Sequence, residues 1–473
     1  MRSASVRYAE AIRRLSTCAG VRSNAMDAAA LTALPFRALR GALDEGTVSC
    51  AAVTEAYLER IAALSGLHAY ALVDAVGARA AAAAADADLA AGTHRGPLHG
   101  IPFCIKDGYP VAGLACTAGS RALHDIVPRE DCELVARARV GGAVLLGINT
   151  MGEAGMGDAV RDGAGANGRN PRHPDYVPGG SSTGTAAATA GGLTVLGIGG
   201  DGGGSVRGPA AATGVVGFKP TDERVPHEGV VPWAWTMGTS GFFGRDVATV
   251  AAATRALLDP PAGPPAPPGF PPRIVALPEE SWGELAPETA AAYRDAIALL
   301  GAETGPAVDL AVGEAWFHRL RELAPVHALH LLGRPDLYSI SIKSLVDMLN
   351  EVTREQYLAS FVVEARLAAD LAAALDGYDA LLTPSHPWPG LRWEEWPGPR
   401  VFEWYRFCYP FNLVRQPGIT QPLRFTADGL PLAFQLVGRR GEDERLVAAA
   451  AWAESLIDLD RSPVTPPWIQ KES

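Results

Sequence analysis

The run Thr194-Val195-Leu196-Gly197-Ile198-Gly199-Gly200-Asp201-Gly202-Gly203-Gly204-Ser205-Val206-Arg207 decides the fold and points to the chemistry. Its first five residues are apolar and β-branched, the pattern of a short buried strand over Thr194–Ile198. Glycines follow, and Ser205 stands where a helix is predicted to open. Glycine has no Cβ, so several backbone N–H groups can converge on one point. A helix N-terminus beside them favours negative charge. A serine so placed has a nucleophile's position, with donors waiting for an oxyanion. The competing readings of such a loop are a phosphate cradle and a plain turn. The chain has no Walker A lysine-serine pair and no βαβ dinucleotide unit here, which weakens the nucleotide reading.

Two further segments add to this loop. Pro178-Gly179-Gly180-Ser181-Ser182 precedes an alanine-rich helical stretch, Thr183 to Ala190. Taken alone it reads as a loop with a serine N-cap. Gly100-Ile101-Pro102-Phe103-Cys104-Ile105-Lys106-Asp107 places a lysine at the end of an apolar strand. Burying an ammonium is costly. Lys106 is therefore either an edge-strand lysine reaching solvent or one desolvated until it is partly neutral and able to act as a base.

On these residues the chain resembles the amidase signature family, serine amidohydrolases with a Ser–Ser–Lys triad. Ser205 lies 24 residues after Ser181 and Lys106 lies 75 before it, the spacing of the family's nucleophile, bridging serine and lysine. Gly96 to Pro102, Gly147 to Glu153, Asn170-Pro171, Gly214 to Thr221, Leu381 to Pro384 and Asp428 to Gly438 also read like family segments. The resemblance covers roughly residues 35–460 and is most specific over 96–220. It departs in four places. Thr183-Gly184-Thr185 replaces a Gly-Gly-Ser, Gly200 stands where threonine is common, Gly208 where a larger residue is usual, and a family aspartate near Gly241 is missing. These sit on the substrate side and leave the triad intact.

The resemblance implies an α/β fold: a single large domain with a central mixed β-sheet covered by helices on both faces. It implies an acyl-enzyme on Ser205, with its proton passed through Ser181 to a neutral Lys106. Gly202, Gly203 and Gly204 would supply the oxyanion donors. Asp201 and Arg207 would order the loop, with Ser182 beside them, and Gly180–Ser181 would be a cis peptide. Met156, Trp235, Trp388 and Arg415 are the substrate-side candidates. Trp233, Trp235, Trp388, Trp393, Trp396 and Trp404 read either as core or as an aromatic-walled acyl pocket for an aryl or hydrophobic amide. Arg415 would pair with a substrate carboxylate or face solvent.

No cofactor is expected. The ten histidines show no HExxH or other ligand spacing and read as surface or structural, with His386 a candidate for the pocket wall. The six cysteines show no CxxC pairing, which fits reduced thiols in a cytoplasmic protein, and Cys104 reads as a small core residue. A net charge of −11 argues against a general nucleic-acid surface, and no 18-residue apolar run calls for a membrane span. The expected partner is a small-molecule amide, with a homodimer as the assembly left open. Residues 1–25, with arginines and no apolar signal core, read as a leader or as an upstream start before Met26. The chain over 26–473 is expected to divide into motifs at 96–220, a Pro-rich linker at 259–272, a variable helical region at 284–375 and a last α/β part at 378–455. Leu39 to Leu64 predicts two helices with Ser49 capping the second, and Ala80 to Ala91 an exposed helix.

Three functions fit this reading. The leading one is a free-standing hydrolase of a carboxamide or N-acyl amine. The second passes the acyl group or ammonia onward, as glutamyl-tRNA amidotransferase A subunits of the family do with partner subunits. The low basicity and the altered Thr183-Gly184-Thr185 loop lean away from it. The third is a catalytically silent scaffold, disfavoured by the complete Ser205, Ser181 and Lys106 set.

Overall fold

The computed structural model describes residues 26–156, 168–260, 271–325, 333–396 and 398–469. The readings of residues 1–25 and of most of the Pro-rich stretch lie outside these. The apolar runs of the chain form strands β1 (Tyr70–Val73), β2 (Pro102–Lys106), β3 (Val144–Asn149), β4 (Leu196–Asp201), β5 (Val216–Lys219), β6 (Thr239–Gly244), β7 (Ile274–Ala276), β8 (Glu303–Thr304), β9 (Ala380–Pro384), β10 (Gly418–Phe425) and β11 (Pro431–Val437). They join in one sheet in the order β1-β3-β2-β4-β6-β5-β10-β11-β9-β7-β8. The sheet is mixed. β2 is parallel to both β3 and β4, and β7 is parallel to β8 and β9. β4 is antiparallel to β6, and β10 is antiparallel to β5 and β11. This is the α/β architecture expected.

The central strands are buried along their whole length, β2, β3, β5 and β6 without an exposed residue. They are read by continuous apolarity rather than alternation, as strands covered on both faces must be. The strand predicted at Thr194–Ile198 starts at Leu196 and runs to Asp201, because Gly199, Gly200 and Asp201 pair with β6 at Gly241, Ser240 and Thr239. The glycines of β4 have a packing reason. A Cβ on Gly197 would meet the Thr185 side chain at 2.6 Å, and one on Gly199 would meet Ser182 Oγ at 2.8 Å. Their absence lets the helix Thr183–Ala190 lie directly on the strand.

Two helices, Phe36–Asp44 and Cys50–Ala63, occupy the predicted interval, and Ser49 Oγ accepts from Ala52 N at 3.0 Å as the second one's cap. The helix foreseen at 80–91 runs from Ala75 to Ala90 instead, capped by Asp74. It is not fully exposed: Ala78, Ala82 and Ala85, at helical spacing, are buried on one face. Beyond the Pro-rich stretch come helices Pro287–Leu300, Gly313–Arg319, Ile340–Glu351 and Arg354–Ala374. Among the described residues no helix is long and apolar enough to cross a membrane.

Candidate active site

Parallel neighbours end at the same edge of a sheet, and the carboxyl ends of β2 and β4 bring Lys106 beside Asp201 and the glycine loop. The close packing of Thr183–Ala190 on β4 carries Ser181 and Ser182 to the same edge. Lys106, Ser181 and Ser205 line one cavity of about 170 Å³. Lys106 Nζ donates to Ser181 Oγ at 2.7 Å, with both residues buried. Burial pulls the Lys106 ammonium down to about 7, against the opposing charges of Asp201 and Asp107. Near neutrality its uncharged form is therefore accessible, and the same contact can then run in reverse, with the Ser181 hydroxyl donating. The Gly180–Ser181 peptide is cis. Tyr405, which the sequence motifs do not single out, holds it from the far side. Its hydroxyl accepts from Gly180 N at 2.9 Å and donates to Gly180 O at 2.5 Å.

Asp201 is fully buried and satisfied on all sides. Gly204 N, Val206 N and Arg207 N donate to its carboxylate at 2.8, 3.1 and 3.2 Å. Arg207 adds a two-pronged pair, Nε at 3.1 Å and Nη2 at 2.9 Å. Burial pushes the Asp201 carboxyl up, but the Arg207 charge and bonds, with Lys219 and Asn412, outweigh it and hold it well below the usual range. Two expectations change here. The N–H groups that open the helix Arg207–Thr213 are spent on Asp201 rather than left for substrate. The Gly204 N–H is spent likewise, which removes it from the oxyanion set. The N–H groups of Gly202, Gly203 and Ser205 have no partner among the described residues.

The C-terminal third completes this cluster. Asn412 Nδ2 donates to Asp201 Oδ1 at 3.0 Å and to its carbonyl at 2.9 Å, and Asn412 Oδ1 accepts from Arg207 Nη2 at 2.5 Å. Gln435 Oε1 accepts from Arg207 Nη1 at 2.8 Å, and Gln435 Nε2 donates to Thr383 Oγ1 at 3.0 Å. Gln435 and Thr383 lie in segments quoted above only as resemblances. A buried polar residue within an otherwise apolar strand was the available signal. Ser182 does not cap its helix; its hydroxyl donates to Gly200 O at 3.2 Å, tying the serine pair to β4.

The tryptophans divide. Trp233 and Trp235 lie on the cavity wall with Val230, Val231 and Met151. Trp235 is 66 % exposed, unusual for its size. Trp388, Trp393, Trp396 and Trp404 do not line the cavity. The Arg400 guanidinium sits 4.4 Å over the Trp388 ring, and Trp404 stacks on His386 at 3.9 Å. His386 is thus a buried packing residue, pulled down to about 3 by burial and by Arg207. His227, read as surface or structural, does reach the cavity rim, paired with Asp222 at 3.1 Å. Met156 packs beside Ala122, Tyr338 and Ile342, off the cavity lining. Arg415, in a left-handed conformation, turns its charge to Glu223 at 3.6 Å and Glu364 at 3.8 Å, also off the lining. Burial pushes the Cys104 thiol up to about 12, so it is a core residue and not a nucleophile.

A buried serine beside a lysine of lowered basicity, facing a second serine in a loop of free N–H groups, is a site of the acyl-transfer class. The family model for Amidase matches residues 52–312 and 331–447, and the chain belongs to that family. Curated relatives include the glutamyl-tRNA(Gln) amidotransferase A subunit of Salinispora arenicola, 32 % identical, with 92 % of this chain and 99 % of that one covered. The protein of the same name from Moorella thermoacetica is 33 % identical, with 89 % and 96 % covered. A solved amidase structure superposes with a TM-score of 0.83 at 30 % identity, covering 90 % of this chain and all of that one. The native peptide amidase of Stenotrophomonas maltophilia gives 0.76 at 26 % identity, covering 94 % and 99 %. The chain is an amidase-signature enzyme. Of the two fates foreseen for its acyl-enzyme, the curated relatives side with onward transfer, the alternative, more than with plain hydrolysis.

Proposed function

We propose that this chain breaks an amide C–N bond through an acyl-enzyme on Ser205 and hands one of the two fragments to an acceptor other than water. The observation that carries the chemistry is the 2.7 Å contact between Lys106 Nζ and Ser181 Oγ on the cavity that Ser205 shares. The curated relatives carry the transfer reading.

In this mechanism Ser205 Oγ attacks the amide carbon while its proton moves to Ser181 Oγ, and the proton of Ser181 moves to neutral Lys106. The oxyanion that forms faces the N–H groups of Gly202, Gly203 and Ser205. Each such donor is worth roughly 3–4 kcal/mol in other hydrolases. When the C–N bond breaks, the relay returns its proton to the leaving nitrogen. The acceptor, or water, then attacks the acyl carbon by the same relay. The wall of Trp233, Trp235, Val230, Val231 and Met151 favours an uncharged aryl or hydrophobic acyl group.

Release to water is the second reading. The resemblance to solved amidases favours it, as does a net charge of −11, which leaves tRNA contact to a partner chain. Intact mass after fluorophosphonate treatment tests the chemistry: one adduct is expected on the wild type and none on Ser205→Ala. Aryl and aliphatic amides, with glutamine, are then turned over with and without hydroxylamine. Hydroxamate formed faster than free acid supports transfer. Free acid alone, with hydroxylamine ignored, excludes acyl transfer and leaves release of the acid to water, with the nitrogen fragment either passed on or set free.

A further inference from the structure

The helix Gly313–Arg319 belongs to the region that carries no family motif, yet it touches the glycine loop. Trp316 is 5 % exposed, and its indole Nε1 donates to Gly202 O at 2.9 Å. The ring stacks on Tyr409 at 5.4 Å and lies so close to Gly203 that a Cβ there would meet it at 2.4 Å. On its neighbour, a Cβ on Gly202 would meet Trp233 at 1.7 Å. The loop is thus held between two indoles, and only one of them bonds to it.

We propose that Trp316 is the positioning residue of the oxyanion loop. Gly202 O and Gly203 N–H belong to one peptide plane and point in opposite directions. Anchoring the carbonyl on Trp316 therefore fixes where the Gly203 N–H aims. A hydrogen bond on the carbonyl also polarises the peptide and strengthens that N–H as a donor. The helix that carries Trp316 is itself anchored. Arg319 donates to Ser360 Oγ at 3.0 Å, to Glu364 at 2.9 Å and to Thr236 Oγ1 at 3.1 Å, next to Trp235 on the cavity wall. One short helix thus sets both the donor for the oxyanion and a wall of the pocket.

The inference rests on the acyl-enzyme reading, and its test separates the two. Benzothienylalanine, a sulfur isostere of tryptophan without the N–H, is installed at 316, with Trp316→Phe as the simpler variant. Ser205 phosphonylation by an aryl fluorophosphonate is followed by intact mass. In this step the Ser205 Oγ–P bond forms, fluoride leaves and the proton goes to the relay, so the phosphoryl oxygen occupies the oxyanion position. The expected result is a maximal labelling rate about 5–10-fold lower in the isostere, the effect of one lost neutral hydrogen bond. Half-saturation and the pH midpoint should stay within about 2-fold and a few tenths of a unit, about the error of such fits. Equal maximal rates in isostere and wild type overturn the inference and leave the acyl-enzyme standing. So does a loss confined to half-saturation. A wild type that takes no label overturns the acyl-enzyme reading and the inference with it. If Trp316→Phe fails to fold, the isostere, which keeps ring size and stacking, still decides.

Discussion

Gly208 and Tyr405 occupy each other's space: a Cβ on Gly208 would lie 2.1 Å from Tyr405 Cε1. The departure from the family's larger residue at 208 is thereby accounted for. The missing side chain makes room for a ring whose hydroxyl brackets Gly180 beside the bridging serine.

Replacing Gly208 by alanine sets two effects against each other. Gly208 is the second residue of the helix Arg207–Thr213, where the change alone would stabilise by less than the ~1 kcal/mol of a helix interior. The overlap with Tyr405 outweighs that gain, since overpacking a buried site costs about 1–3 kcal/mol. We expect Gly208→Ala to lower both stability and turnover, and Tyr405→Ala in the same chain to restore part of the stability. Additive losses in the double variant, measured by denaturant unfolding, would show that the two positions do not communicate.

The state of Lys106 sets the pH profile. Its charged form cannot take a proton, so activity should be absent well below neutrality and rise as pH passes through about 7. Lys106→Ala should flatten this limb and slow the reaction by about 10²–10⁴-fold, the range for a lost general base. A rising limb that survives in Lys106→Ala would assign the titration elsewhere.

Asp201 is the partner on which Arg207 depends. Asp201→Asn leaves a fully buried guanidinium without its counter-charge, and breaking a buried pair from one side costs about 3–5 kcal/mol. Equilibrium unfolding should show a loss of that order, accompanied by loss of Ser205 labelling. A change below about 1 kcal/mol, within the range of exposed ion pairs, would mean that water replaces the carboxylate.

Trp235 and Trp388 should behave differently. Trp235→Ala opens the cavity wall and should reduce the preference for aryl over short aliphatic amides. Trp388→Ala, under Arg400 and off the lining, should leave that preference unchanged and cost stability instead. Matched aryl and aliphatic amides compared by kcat/KM check both, and an unchanged ratio in Trp235→Ala rules out the aromatic wall as a selector.

What can be read from the residues follows from distance along the chain. The Lys106, Ser181 and Ser205 spacing and the central strands rest on local glycine and apolar patterns, so they are legible. Asn412 and Gln435 are not, because only the fold shows that the helix Tyr409–Leu413 and β11 bring them to Arg207. Gly204 is misplaced in the sequence reading because glycine in a loop says that an N–H is accessible, not which acceptor has claimed it. The family resemblance and the clustering of tryptophans draw Arg415, Met156 and Trp388 toward the pocket, whereas Glu223, Glu364 and Arg400 decide where the charged and the aromatic one lie.

Two partners of Arg207, Asn412 and Gln435, stand 205 and 228 residues further along the chain. A ribosome making about 5–20 residues each second needs about 10–45 s to reach them after Arg207 has been added. Throughout that interval the loop bearing Ser205 lacks the groups that close it. The buried cluster that orders the loop around Ser205 is therefore completed only when synthesis is nearly finished.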